Sequence, residues 1–304
     1  IKRCDMAENI ALIHDKNIKT VTTQQKVISV ISTILRYAFL LLVAVIVLFP
    51  FYYMIITSLK DFELEYSVQQ VPSLWPQRFV WQNYSEAFST ANLGTLFKNT
   101  VIVGLVSTVL SLVITVLSAF AFARLEFKGK NVLFGALLAT MMIPGEMFTI
   151  SNYVTVYKFG WLNTYTALIV PFLVSVFYIY LLRQNFMQIP NELYLAAKVD
   201  GTSDIKYLWK VMIPLALPTL ISITILKMMG AWNSYVWPRL VANDAAHQLV
   251  SNGLRNAFTV AETGKTNYPV QMAAVVLVSL PLFLVFVFLR KYIMKGVSRS
   301  GIKG

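Results

Sequence analysis

Six apolar runs, each long enough to cross a lipid bilayer as a helix, occupy most of this sequence: about Tyr37–Ser58, Thr100–Phe122, Asn131–Tyr157, Tyr165–Leu182, Val211–Trp232 and Tyr268–Leu289. A bilayer core about 30 Å thick takes roughly 20 apolar residues as a helix. With no water to pair the backbone, such runs must satisfy their own amide and carbonyl groups, and these are too long for barrel strands. Composition agrees, with 57% hydrophobic and 13% charged residues, against about 25% charged in soluble domains. The expected class is an all-α membrane protein with six transmembrane helices.

An even number of spans puts both termini on one side, and loop charge says which. The tails and the two connections on their side hold 18 of the 26 lysines and arginines, and the three opposite loops hold 6. Both termini are therefore expected in the cytoplasm. The layout is a tail of residues 1–36, a membrane domain of residues 37–289 and a tail of residues 290–304, with a part-helical stretch near residues 23–33. The chain opens on Ile1 rather than methionine, so the true start is expected to lie upstream.

The net charge of +12 follows from the same loop bias, which weighs against nucleic acid as a partner. Cys4 stands alone and His14 and His247 are isolated, so neither a disulfide nor a metal site is expected. The sequence has no Ser-His-Asp or Cys-His constellation and no phosphate-binding G-x-x-x-x-G-K-[ST] loop. It is expected to be no enzyme and to bind no cofactor itself.

One polar interruption, residues 183–210, carries local helix signals. Pro190 suits a helix start. Leu193, Ala196 and Ala197 fall at i, i+3 and i+4, where two alanines let another backbone approach. Gly201 supplies the stop, and Thr202 or Ser203 caps a second helix with Asp204 in its first turn. These signals fit a docking helix–turn–helix on the membrane surface and equally an ordinary amphipathic loop.

The run Ile189-Pro190-x-Glu192-Leu193-x-x-Ala196-Ala197-x-Val199-Asp200-Gly201-x-Ser203, followed by Val211-Met212-Ile213-Pro214, resembles the EAA signature of ABC-importer permeases, in the form of the carbohydrate-uptake, maltose-permease-like branch. Met142-Ile143-Pro144-Gly145-Glu146, Leu162-Asn163-Thr164-Tyr165, Trp232-Asn233-Ser234-Tyr235-Val236-Trp237-Pro238 and the tail Gly296–Gly304 resemble the same branch, in the same order. The resemblance covers about Tyr37 to the C-terminus. It implies a type I importer permease in a bacterial or archaeal cell membrane, paired with a sister permease. Two ATPase subunits, which bind ATP and Mg, and an extracytoplasmic sugar-binding protein complete the assembly. Glu192, Leu195, Ala196, Ala197, Asp200, Gly201 and Ser203 would couple ATPase closure to alternating access. The family's glutamate position is Leu195 here, so docking would rest on Ala196, Ala197, Asp200 and Gly201, with Glu192 as the nearest acid. The tail Ser298–Gly304 would reach toward the ATPase interface. The implied solute is a sugar, an oligosaccharide first, with glycerol-3-phosphate or another polyol as the alternative; a stand-alone secondary transporter is the reading outside this family. Arginine is absent from the mid-span regions, which favours a neutral sugar.

Glu146, some 15 residues into the third run and so about 22 Å deep if the helix were straight, reads as a pathway group or as an interfacial acid at a kink. Asn152 and Tyr153, with Ser151, offer hydrogen bonds to sugar hydroxyls. Tyr153, Tyr157 and Trp232 offer stacking faces or plain packing, and Asn233 and Ser234 a pathway edge or a helix cap. Lys227 is expected to snorkel toward the interface.

Overall fold

The computed structural model describes residues 23–66, 73–254, 258 and 266–298, and every regular element among them is helical. The expectations for Cys4, His14 and the tail beyond Ser298 lie outside the described residues. The chain divides into one unit ending at Met54 and a second beginning at Ile55. The first is carried by α1, Thr23–Ser58. The sequence places a polar tail up to residue 36, yet the helix is continuous from Thr23. Val27 to Leu35 contain neither proline nor glycine, and nothing stops the helix before the membrane-length run. Large apolar side chains from Ile28 to Phe51 are exposed along it, as suits a lipid-facing helix.

In the second unit, α2 (Phe62–Glu65) and α3 (Gln82–Thr90) lie in the connection before α4 (Leu93–Arg124). Then come α5 (Lys130–Thr140), a 3-10 turn at Gly145–Phe148, α6 (Thr149–Lys158), α7 (Tyr165–Ile169) and a second 3-10 turn at Val170–Phe172. Next are α8 (Val176–Met187), α9 (Asn191–Val199), α10 (Asp204–Tyr207), a π turn at Leu208–Met212 and α11 (Ile213–Leu215). The last are α12 (Leu217–Trp232), α13 (Val236–Val241), α14 (Val250–Gly253) and α15 (Tyr268–Ser298).

Among the described residues three helices are long and apolar enough to cross a membrane, and three bent pairs, if each is one span, bring the number of candidate spans to 6. The pairs break by 86° between α5 and the Gly145–Lys158 segment, by 46° before α8 and by 80° before α12. Each break carries proline: Pro144, Pro171, and Pro214 with Pro218. The third run bends at Pro144-Gly145, beside Glu146, so its length does not lie along one axis. Its first arm, α5, has 11 residues, about 16 Å at 1.5 Å per residue. Glu146 lies beyond the bend, exposed in the 3-10 turn, so counting residues does not give its depth.

Helix α4 is the axis of this unit, packed along α8 and α12, while α15 packs on α3 and α12. Its inner face is polar and small: Asn99, Thr100, Ser107, Thr108, Ser111 and Thr115 are buried, whereas Leu105, Val109, Val113 and Leu117 are exposed. This arrangement is the inverse of a soluble helix. In lipid, small and hydroxyl-bearing residues let helices approach closely. At Gly104 a β-carbon would come within 3.0 Å of Met228 Sδ.

Candidate functional site

The segment of residues 190–207 begins where α8 ends. Pro190 flanks α9, as its signal indicates, and the helix stops in a Schellman closure. Thr202 N–H donates to the Ala197 carbonyl at 2.8 Å and Gly201 N–H to the Lys198 carbonyl at 3.0 Å. That closure needs a left-handed residue, and Gly201 supplies it with φ +70°. Ser203 then caps α10, its Oγ accepting from Lys206 N–H at 3.4 Å. The helix–turn–helix reading is the geometry found.

An electrostatic knot closes the turn. Tyr194 Oη donates to Asp204 Oδ1 at 2.7 Å, and Lys198 Nζ pairs with the same oxygen at 2.7 Å. The Asp204 carboxylate holds the Lys198 ammonium above the usual lysine range. Burial, with the Asp204 hydrogen bond second, pushes the Tyr194 hydroxyl up. The rings of Tyr194 and Tyr207 meet at 5.1 Å.

The segment is bolted to the membrane helices from its inner face. Tyr194 and Ala197 pack on a core of Ala119, Phe120, Leu182, Phe186, Tyr207 and Met212. Two arginines cross between helix ends. Arg124, at the end of α4, donates to the Phe186 carbonyl at 2.9 Å, to the Ile189 carbonyl, and to Asn191 Oδ1 at 3.3 Å. Arg183, on α8, donates back to the Phe122 carbonyl at 3.0 Å and lies 4.0 Å from the centre of the Phe134 ring.

The two alanines do not share one environment. Ala197 faces the core, whereas Ala196 is exposed beside Glu192. Leu195 is 56% exposed and Val199 88% exposed. The outer face of α9 is thus Glu192, Leu195, Ala196 and Val199, with Asp200, Gly201 and Ser203 exposed at its end. Of Leu193, Ala196 and Ala197, spaced at i, i+3 and i+4 on α9, Ala197 packs on the core while Leu193 and Ala196 are exposed.

The residues read as pathway candidates lie elsewhere and do not form one site. Asn152 and Tyr153 are half-buried on α6, with Tyr153 packed against the cluster of Val156, Leu168 and Trp237. Trp232 is 7% exposed, in a core with Leu93 and Leu96 and 6.0 Å from the Phe97 ring. Its surroundings are those of the packing alternative. Asn233 is exposed and donates to the Met229 carbonyl at 3.0 Å, closing the end of α12.

A cavity of about 370 Å³ lies among α4, α7, α8, α12 and α13, with Ser107, Ser175, Tyr178, Lys227, Gly230 and Trp237 in its wall. Lys227 Nζ donates to the Phe172 carbonyl at 2.6 Å. That carbonyl lies at the Pro171 break, where Ser175 starts a new helix and the old pairing ends. Lys227 therefore turns inward to the break instead of snorkelling. Sequence reading passed over this cavity; the available signal was a lysine inside an apolar run.

The family described as "Binding-protein-dependent transport system inner membrane component" matches residues 111–299. The arabinooligosaccharides transport system permease protein AraQ of Halalkalibacterium halodurans is 31% identical over 230 residues, covering 75% of this chain and 81% of the relative. The sn-glycerol-3-phosphate transport system permease protein UgpE of Yersinia enterocolitica is 27% identical over 268 residues, covering 86% of this chain and 94% of the relative. Among solved structures, a chain of a bacterial ABC transporter involved in the import of the acidic polysaccharide alginate superposes with a TM-score of 0.76 at 23% identity, covering 89% of this chain and 98% of that one.

Proposed function

We propose, since this chain belongs to the family of binding-protein-dependent transport system inner membrane components, that it couples ATP hydrolysis on partner chains to uptake of an oligosaccharide. The chain has the type I ABC importer permease fold and is a multi-pass sugar-permease homologue of the cell membrane. In the proposed assembly a sister permease shares the pathway, two ATPase subunits bind ATP and Mg on the cytoplasmic side with both termini of this chain, and an extracytoplasmic binding protein delivers the solute.

The observation that carries the coupling role is the two-sidedness of α9. Its inner face is held to α4 and α8 by Tyr194, Ala197 and Arg124, while Leu195, Ala196 and Val199 are left exposed. A helix so held moves with the membrane helices when its outer face is pulled. With Leu195 at the position where the family signature is acidic, the contact there is apolar, and Glu192 lies one turn earlier for a polar one. The arabinooligosaccharide relative favours an oligosaccharide; the glycerol-3-phosphate relative supports a small polyol phosphate as the second reading.

The test is uptake and ATP hydrolysis by the assembled transporter carrying Gly201→Pro or Ala197→Asp. The proline forbids φ +70°, and the aspartate puts a charge against the inner core. Both variants are expected to reach the membrane and to lose most solute uptake per ATP hydrolysed. Normal uptake by both would remove α9 from the coupling path.

A further inference from the structure

Lys227 lies within α12, ten residues on from Leu217 and five before the end at Trp232, and its half-buried side chain turns to the Pro171 break. An ionisable group in that position marks a functional site with a partner to be found. Among the described residues no carboxylate pairs with it, although Lys60, Arg78 and Lys198 each pair with one. Its hydrogen-bond partner among the described residues is the Phe172 carbonyl. An ammonium carries three N–H donors, so this bond accounts for one.

The cavity that Lys227 lines has the size of a small-molecule pocket. Ser107, Ser175 and Tyr178 bring hydroxyls to its wall, and Phe172 and Trp237, edge to face at 5.4 Å, bring an aromatic one. Gly230 leaves space, because a β-carbon there would meet nothing within 4 Å. Hydroxyls, an aromatic wall and a cation without a counter-charge together describe a site for a polyhydroxylated anion.

We propose that this cavity binds the anionic group of the transported solute, with Lys227 as its counter-charge. The inference rests on the permease reading and narrows it: the solute is an acidic saccharide or a sugar or polyol phosphate. The absence of arginine from the spans, which favoured a neutral sugar, is outweighed by the position of this lysine.

The test uses the assembled transporter with its binding protein in proteoliposomes. The probes are digalacturonate and its dimethyl ester, sn-glycerol 3-phosphate and glycerol, and neutral arabinotriose. The first two pairs differ in charge and separate a carboxylate from a phosphate. Lys227→Gln keeps an N–H donor for the Phe172 carbonyl and removes the charge; Lys227→Arg keeps both. The expected result is that the wild type imports one acid in preference to its neutral partner. Lys227→Gln should then lower uptake of that acid about tenfold, the equivalent of 1.4 kcal/mol, with Lys227→Arg close to wild type. Uptake of the acid by Lys227→Gln at the wild-type rate would overturn the inference, and would fit a carboxylate supplied to Lys227 by the sister chain. Import of the neutral probes as fast as the acids by the wild type would overturn it without any variant. Either outcome leaves the permease reading standing. Import that persists without ATP or without the ATPase chains would overturn that reading instead.

Discussion

Lys60 and Glu65 form an ion pair of 3.1 Å in which both side chains are 0% exposed. Glu65 also accepts from Ser73 Oγ and from the Gln77 amide, each at 2.8 Å, and Lys60 donates to the Ser73 carbonyl. A buried pair of this kind gains little over an apolar replacement, but removing one partner strands the other, at about 3–5 kcal/mol. Glu65→Ala is therefore expected to lower stability by that amount, read as a lower melting temperature of the purified protein in detergent. Lys60→Met combined with Glu65→Leu should recover most of the loss; a double variant as unstable as the single would show that the stranded charge is not the cause. The sequence does not single out this pair. Lys60, Asp61, Glu63 and Glu65 look alike as loop charges, and burial of two of them depends on chain folding back from Ser73 to Asn83. Gly201 is the opposite case: its role follows from its immediate neighbours and was legible.

At the scale of elements, α9 was legible for the same reason. Pro190, Gly201 and Ser203 act within one turn of their own positions, and each does in the fold what its local chemistry indicates. The kink beside Glu146 was legible, but the angles of the bends were not, although the prolines were in plain view. Pro50 and Pro281 lie inside unbroken helices, while Pro144 and Pro171 lie at breaks. In a membrane the groups a proline frees are paired again by neighbours, so its presence does not set an angle. The crossed arginines belong to this scale as well, because Arg124 and Arg183 each serve the carbonyls at the other's helix end. Arg124→Ala removes the tie from α4 to α9 and leaves the Arg183 tie in place. A hydrogen bond to a charged group contributes about 1.5–3 kcal/mol, enough to loosen the start of α9 without unfolding the bundle. Faster amide hydrogen exchange at residues 188–192 and fewer solutes imported per ATP are the expected readings. Unchanged exchange would mean that the Tyr194–Ala197 packing alone holds the helix.

For the molecule as a whole, the candidate spans and the helix–turn–helix of residues 190–207 could be read from the chain, whereas the cavity around Lys227 could not. Its wall is drawn from separate helices on both sides of the Pro171 break, and no single stretch of sequence holds its pattern. The second unit depends on similar long-range polar ties, of which Asn99 is the hub. Its Nδ2 donates to the Ala246 carbonyl at 2.8 Å and the Gln248 carbonyl at 2.9 Å, and its Oδ1 accepts from Tyr165 Oη at 2.7 Å. One residue of α4 thereby fixes the segment before α14 and the start of α7, flanking the wall of the cavity. Asn99→Ala leaves two carbonyls and a hydroxyl without partners. Each buried group so stranded costs about 1–3 kcal/mol. The next residue supplies a graded control, since Thr100 Oγ1 accepts only the Val250 amide, at 2.9 Å, while donating within its own helix to Leu96. Thr100→Val should therefore lower the melting temperature less than Asn99→Ala does, and Asn99→Asp, which keeps the acceptor for Tyr165 but turns a carboxylate oxygen onto two carbonyls, should lower it at least as far as Asn99→Ala. If Asn99→Ala melts no lower than Thr100→Val, the loop before α14 is held by its own packing, and Asn99 is not the tie that shapes this side of the cavity.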